Sequence, residues 1–446
     1  MNFKLGISFI SLSFMACQLF AQDNKQVMSA AYNAIWNEQV QEQIDDRIEK
    51  FRKVDASIRF SDIKKNSTVK VEQLKHDFIF GSNIFLFDQY KTDSQNTAYK
   101  NLFLNLFNAA TIPFYWKTLE PEKGKPRFTK DSAPIYRRPA TDPVVEFCEA
   151  NNIDMNGHTI IYGMRRWAQP TWMPEDRKIM EQEFEQHIKT LAQRYQGRIQ
   201  RWDIVNESID QANRGLMPDD YTYKCYQWAK AYFPPSVLFN MNDCDLSWSA
   251  QQLRRYVEII RNLKDRQAKV DVTGIQSHIF NPQGAKAIAE GAPNLTPDLI
   301  SSKLSILDSA ELPIHISEVT ISAPDASAQG AAIQAQIARN LYRLWFSHPS
   351  IMGITWWNAV DGGAAEGEPS LSGILDENLA QKPVYHVLRH LIHQEWSTQI
   401  QQKINADSSL AFRGFKGTYK ISWTDKKGKK QEKQVTLGNQ ANAINL

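Results

Sequence analysis

The chain has 446 residues but little equipment for metal, nucleotide or redox chemistry. It holds four cysteines, and Cys17 falls in an apolar leader, which leaves Cys148, Cys225 and Cys244. Three widely spaced thiols give neither a disulfide framework nor a zinc pattern. Cys148 lies on an amphipathic pattern, where a buried free thiol is the expectation. No carboxylate cluster has ligand spacing, so no metal and no cofactor is expected. No glycine fingerprint follows any strand candidate, which sets nucleotide binding aside. The net charge of +3 comes without a dense basic stripe, so neither nucleic acid nor an anionic membrane is an implied partner. Past the leader no apolar run is long enough to span a bilayer.

The leader itself reads as a secretory signal over residues 1–22. Lys4 supplies the charged start, residues 5–20 the apolar stretch, and Leu19-Phe20-Ala21 a cleavage site. The rest is expected to be secreted or periplasmic. Phe14-Met15-Ala16-Cys17 is a weaker lipoprotein box, because Phe14 suits its first position badly. Twelve Trp and fifteen Tyr make the chain rich in aromatic faces, which stack on sugars but more often fill cores.

Residues 28–53 carry apolar side chains at helical spacing. Two alternating runs, 56–60 and 68–74, joined by polar 62–67, are expected to form a β-hairpin. From residue 76 to about 396, strand and helix patterns alternate without a break. The strand candidates are 76–83, 109–116, 153–161, 201–208, 237–245, 272–279, 313–321 and 353–361. Amphipathic helices are clearest at 178–195, 250–263, 297–307, 331–346 and 383–396. Eight strand–helix units predict a TIM (β/α)8 barrel, an α/β fold, over 76–396. After Trp396 come three short strand patterns, 411–415, 418–423 and 433–437. This tail, 397–446, is expected to pair with 55–75 as a small β-rich accessory unit, a buttress before it is a glycan binder. The lysine-rich run 425–430 reads as a solvated turn.

Two strand candidates end in carboxylates. Arg201-Trp202-Asp203-Ile204-Val205-Asn206-Glu207-Ser208 starts apolar and closes on an amide and an acid. Pro313-Ile314-His315-Ile316-Ser317-Glu318-Val319-Thr320 does the same. Buried strands that deliver polar groups at their carboxyl ends are how such a barrel builds its site. A pair of carboxylates placed this way suits a retaining glycosidase, one acid/base and one nucleophile.

Further marks follow on successive strands: Gly157-His158-Thr159, Asn242-Asp243, Gly274-Ile275-Gln276-Ser277-His278, Trp357 with Asp361, and Lys382-Pro383-Val384-Tyr385. With Trp202-Asp203-Ile204-Val205-Asn206-Glu207 and Ile316-Ser317-Glu318, these resemble glycoside hydrolase family ten, the retaining endo-β-1,4-xylanases, across roughly residues 76–396. The resemblance implies Glu207 as acid/base, Glu318 as nucleophile and Asn206 on the sugar 2-hydroxyl. It implies His278 orienting Glu318, with His158, Gln276 and Asn242 lining the reacting-sugar subsite and Trp357 as its floor. The implied partner is a polysaccharide or oligosaccharide, met by a monomer. Hydrolysis of another β-linked glycan, and glycan binding on a retired barrel, stay open.

The departures fall on substrate anchors. The family's strand-two Asn and Lys are replaced by Ile112 and Tyr115. Its Trp-His after Gly-His-Thr becomes Tyr162-Gly163, a loss expected to open space. Thr320 stands where an Asp usually backs the histidine, and Cys244 where the family has Tyr. Tyr115 and Tyr162 are kept among the substrate-contact candidates. In the loop after strand three, Arg165 and Arg166 beside Trp167 and Trp172 could hold an acidic or decorated sugar. The bland alternative has the arginines in solvent and the tryptophans packing the loop down.

Overall fold

The computed structural model describes residues 27–209, 215–404, 408–440 and 442–446; the leader lies outside the described residues. Its centre is a closed parallel barrel. The strands are β3 (Ile79–Asn83), β4 (Ala109–Pro113), β5 (Asp154–His158), β6 (Ile161–Tyr162), β7 (Arg201–Asn206), β8 (Leu238–Asp245), β9 (Val272–Ile279), β10 (Ile314–Ile321) and β11 (Ile351–Trp356). β6 is the outer end of the third staff, reached after a cis His158–Thr159 peptide bond, and β5 and β6 both pair with β7 to close the ring. Every residue of β7 and of β10 is buried. Both faces of a barrel strand are covered, which is why these segments read as continuous apolar runs rather than alternating ones. Gly157 has a packing reason: a Cβ there would fall 2.2 Å from the ring of fully buried Trp202.

The helices start where the sequence offers caps. Ser249 and Gln252 form a reciprocal capping box ahead of Ala250–Asp265, and Asp176 accepts from the first turn of Arg177–Tyr195. Pro297 and Pro383 open their helices at the position where a missing N–H costs nothing. The last helix ends earlier than its pattern, at His390, and passes into a π turn at Leu391–Glu395. The amino-terminal pattern splits into two helices, Ala30–Ile35 and Glu38–Arg52, because Asn37 accepts from the N–H of Val40 and caps the second.

The hairpin expectation is corrected. β1 (Lys53–Arg59) and β2 (Thr68–His76) do not pair with each other. β1 lies between β13 (Ser409–Phe415) and β16 (Asn442–Asn445). β2 lies between β12 (Gln399–Lys403) and β14 (Gly417–Thr424), with β15 (Lys430–Leu437) beyond. Ile58, Val69, Val71, Leu410, Tyr419 and Ile421 meet in one core between these two sheets. Alternating strands bury their apolar faces best face to face, so β1 and β2 are opposite rather than adjacent. The β-rich unit is therefore built from both extensions, as expected, but as a small two-sheet sandwich. In the turn between β14 and β15, Asp425 accepts from the backbone of Lys427 and Lys429.

Candidate active site

At the carboxyl ends of the strands the side chains change from apolar to polar. Glu207 follows β7 with φ +51°, a left-handed conformation uncommon for a residue with a side chain. Glu318 lies within β10 and is buried. One amide bridges them: Gln276 Nε2 lies 3.1 Å from Glu207 Oε1 and 3.4 Å from Glu318 Oε1. Those two contacts cap the separation of the bonded oxygens at about 6.5 Å, a bound that admits the closer spacing of a retaining pair.

The surroundings treat the two acids differently. Burial raises the pKa of Glu207, and the charge of Glu318 raises it further; hydrogen bonds from Tyr162 and Gln276 pull the other way without winning. Tyr162 donates its hydroxyl to Glu207 Oε2 at 2.5 Å, a charge-assisted bond. Glu318 collects donors instead. Asn242 Nδ2 donates to Oε1 at 2.7 Å, and His278 Nε2 stands 3.5 Å from Oε2. Burial alone would depress His278, but its bond to Glu318 and that acid's charge carry its pKa upward. The ring is set from behind by Thr320 Oγ1, 2.9 Å from Nδ1, and by stacking on Phe280. With Nε2–H aimed at Glu318, Nδ1 of the neutral ring accepts from the threonine hydroxyl. Thr320 thus fills the backing position left without an Asp.

Asn242 has no exposed surface and does not line the cleft. Its Nδ2 also donates to Asn206 Oδ1 at 2.8 Å, and its own Oδ1 accepts from Ser317 Oγ. Placed beneath both strands, it orients Asn206 and Glu318. Asn206 spends its oxygen on this bond, and among the described residues its Nδ2 donors have no partner and can serve a ligand. His158 is held by Asp203 at 2.7 Å on Nδ1 and meets the Tyr115 hydroxyl at 3.0 Å on Nε2. Asp203 is gripped in turn by Asn156 and Asn240. Trp357, almost fully buried, stands edge-on to His158 and to Phe85.

Two expectations change. Gly163 opens no space: its backbone lies against Glu207, and a Cβ would sit 2.2 Å from the Glu207 carbonyl oxygen. The glycine is needed for that approach, and Tyr162 takes a polar role on the acid. Arg165 is tied to the backbone, donating to the carbonyls of Leu216 and Pro174 at 3.1 Å each. Trp172 packs edge-on against Trp116 and donates to the Glu120 carbonyl, so this part of the loop follows the bland alternative. Trp167 is exposed, and the side chain of Arg166 lies outside the described residues.

Sequence reasoning missed Asp203, Ser317 and Arg138 as parts of this site, whereas Thr320 was already noted at the position behind the histidine. Ser317 is legible only as a neighbour of Glu318. Arg138, from the long loop after β4, lays its guanidinium over the Tyr115 ring at 3.9 Å. The reading that no His-x-x-x-His spacing occurs is corrected: His386 and His390 have it. Among the described residues no group of three or more His, Cys, Asp or Glu is placed to hold a metal, and no helix is long and apolar enough to cross a membrane.

The family model for glycosyl hydrolase family 10 matches residues 72–391, most of the chain. The chain belongs to this family. Among family 10 relatives, endo-1,4-beta-xylanase 3 of Arabidopsis thaliana is 24% identical over 434 residues, covering 92% of this chain and 50% of its own. Endo-1,4-beta-xylanase B of Thermotoga neapolitana is 24% identical over 295 residues, with 63% and 78% covered. Anti-sigma-I factor RsgI6 of Acetivibrio thermocellus is 26% identical over 391 residues, with 86% and 46% covered. The chain spans about half or less of the length of the first of these curated relatives. In fold it is similar to native xylanase 10B of Thermotoga maritima, with a TM-score of 0.58 at 22% identity, covering 72% of this chain and 96% of that one.

Proposed function

We propose that this protein is a secreted retaining β-glycosidase that cleaves β-1,4-xylan or decorated xylan internally, by double displacement. Glu318 attacks the anomeric carbon while Glu207 gives its proton to the leaving oxygen. A sugar–enzyme ester forms. Glu207, now a base, takes a proton from water, which releases the sugar with its configuration kept. Support comes from family membership and from one observation above all: a single amide, Gln276 Nε2, reaches both carboxylates. The uneven environments fit the division of labour. Burial and a neighbouring charge keep Glu207 protonated longer than an ordinary carboxyl, while Glu318 is surrounded by donors that hold it aimed. Asn206 donors are free for the 2-hydroxyl of the reacting sugar, a contact that strengthens in the transition state.

The altered strand-two anchors favour a second reading, a different β-linked glycan. Ile112 is fully buried and offers no polar group, and Tyr115 is committed to His158. The test is reducing-sugar release from unsubstituted xylan, glucuronoxylan, arabinoxylan, β-glucan and galactan, with Glu318→Ala as the blank. Release from a xylan that drops by about 10⁴-fold or more in the variant supports xylan cleavage and the nucleophile together. Activity only on β-glucan or galactan moves the enzyme to the second reading. Silence on all five substrates sinks hydrolysis and leaves glycan binding.

A further inference from the structure

The loop after β4 brings two adjacent arginines to the cleft wall, and they are not treated alike. Arg137 is buried. It donates to Asn358 Oδ1 at 3.0 Å and to the Gly363 carbonyl, and Asn358 Nδ2 in turn donates to Glu368 at 2.9 Å. A carboxylate thus answers Arg137 through one amide. Arg138 has no such answer. The only hydrogen bond of its guanidinium among the described residues goes to the Arg137 carbonyl at 2.8 Å, and no described carboxylate lies within ion-pair distance of it. It rests between the Tyr115 ring at 3.9 Å and the Phe85 ring at 5.2 Å, flat against the wall that leads to His158 and Trp357.

Arg138 also lines a pocket of about 500 Å³, together with Lys130, Tyr90, Tyr136 and Asp88. Asp88 is already paired with Lys100 at 2.6 Å. Arg127 in the same wall is spent on the carbonyls of Thr118, Ala133 and Arg138. The pocket therefore presents two unpaired cations, Arg138 and Lys130, and an aromatic face on Tyr136, which is 61% exposed. Burial brings the Arg138 pKa down to about 10, with Arg137 adding to it and Tyr115, Glu368 and Tyr162 opposing from a distance, so the guanidinium stays charged at any ordinary pH. A half-buried guanidinium with no ion-pair partner in contact is costly to the free protein, and an anionic ligand relieves that cost. A planar fork beside an aromatic ring suits a carboxylate carried on a sugar ring.

We propose that Arg138, with Lys130 and Tyr136, forms a subsite for a carboxylate-bearing sugar, a uronic acid in or on the glycan, on the wall that continues from Tyr115. It lies beside Tyr115, whose ring the guanidinium covers at 3.9 Å. This assignment rests on the glycosidase reading above but does not require the backbone to be xylan.

The test is calorimetric binding to the full chain inactivated by Glu318→Gln. Three probes are compared: a linear xylo-oligosaccharide, its glucuronate-substituted counterpart, and that counterpart with its carboxyl reduced to an alcohol. The charged probe is expected to bind about 10- to 100-fold more tightly than the reduced one. That preference should shrink as salt rises, vanish in Arg138→Gln and survive in part in Arg138→Lys. Equal binding of charged and reduced probes overturns the subsite, as does a preference that persists in Arg138→Gln. If no xylo-oligosaccharide binds, the xylan reading fails by itself. Methyl β-glucuronide then reads the subsite directly, and its binding must still depend on Arg138.

Discussion

The carboxyl-terminal rim of the barrel and the two-sheet unit both bury side chains almost completely, yet they bury different chemistry. In the sandwich the buried set is Ile58, Val69, Val71, Leu410, Ile421 and their apolar neighbours. Its buried carboxylate, Asp425, does no more than close a turn. At the rim the buried set includes Asp203, Asn206, Asn242, Asp243 and Glu318. Burial holds Asp243 up to about 7 even though the backbone of Ile209 and Cys244 and the hydroxyl of Ser208 all donate to it. Polar groups out of water are costly unless every one is answered. A fold that concentrates them at one end gives up stability there, and the perturbed acids mark what is gained. The sandwich makes no such exchange, which fits a supporting part.

The comparison can be broken most sharply at Glu207. Glu207→Gln is expected to cut xylan hydrolysis by about 10²- to 10⁴-fold while sparing aryl glycosides with good leaving groups, and to erase the alkaline limb of the pH profile. An alkaline limb that survives in the variant would remove Glu207 from the acid/base role. In the sandwich, Ile421→Ala should cost about 2–5 kcal/mol in denaturant unfolding with kcat/KM unchanged, since Ile421 is fully buried far from any polar cluster. A parallel loss of activity in the folded variant would show the two regions to be coupled. The smallest effect is expected at Tyr162→Phe. The Tyr162 hydroxyl stabilises ionised Glu207 and so lowers its pKa; without it the pKa rises and the alkaline limb moves to higher pH. The rate should fall by about tenfold. A limb that moves to lower pH would mean that Tyr162 acts on another group.

The barrel was legible because a closed parallel sheet imposes one rule on every strand. Predicted 272–279 coincides with β9, and 201–208 overruns β7 only where Glu207 leaves the strand at positive φ. The hairpin was misread because alternation in 56–60 and 68–74 specifies which side chains face inward, not which strand lies alongside. Partners came from 397–446, more than 300 residues away in sequence.

For the site, the sequence by itself determined which two acids the strands deliver to the rim, because motifs are local, although Glu318 lies within β10 rather than at its end. The resemblance carried by its motifs also supplied Gln276 and His278. Only the tertiary structure decided what those groups do. Asn242 became a brace rather than a contact, Gly163 a point of close approach, and Arg165 a loop fastening, because each outcome depends on which backbone arrives opposite. Arg138 carries the same lesson: its sequence is a charged loop like any other, and only folding leaves it over Tyr115 with no ion-pair partner among the described residues.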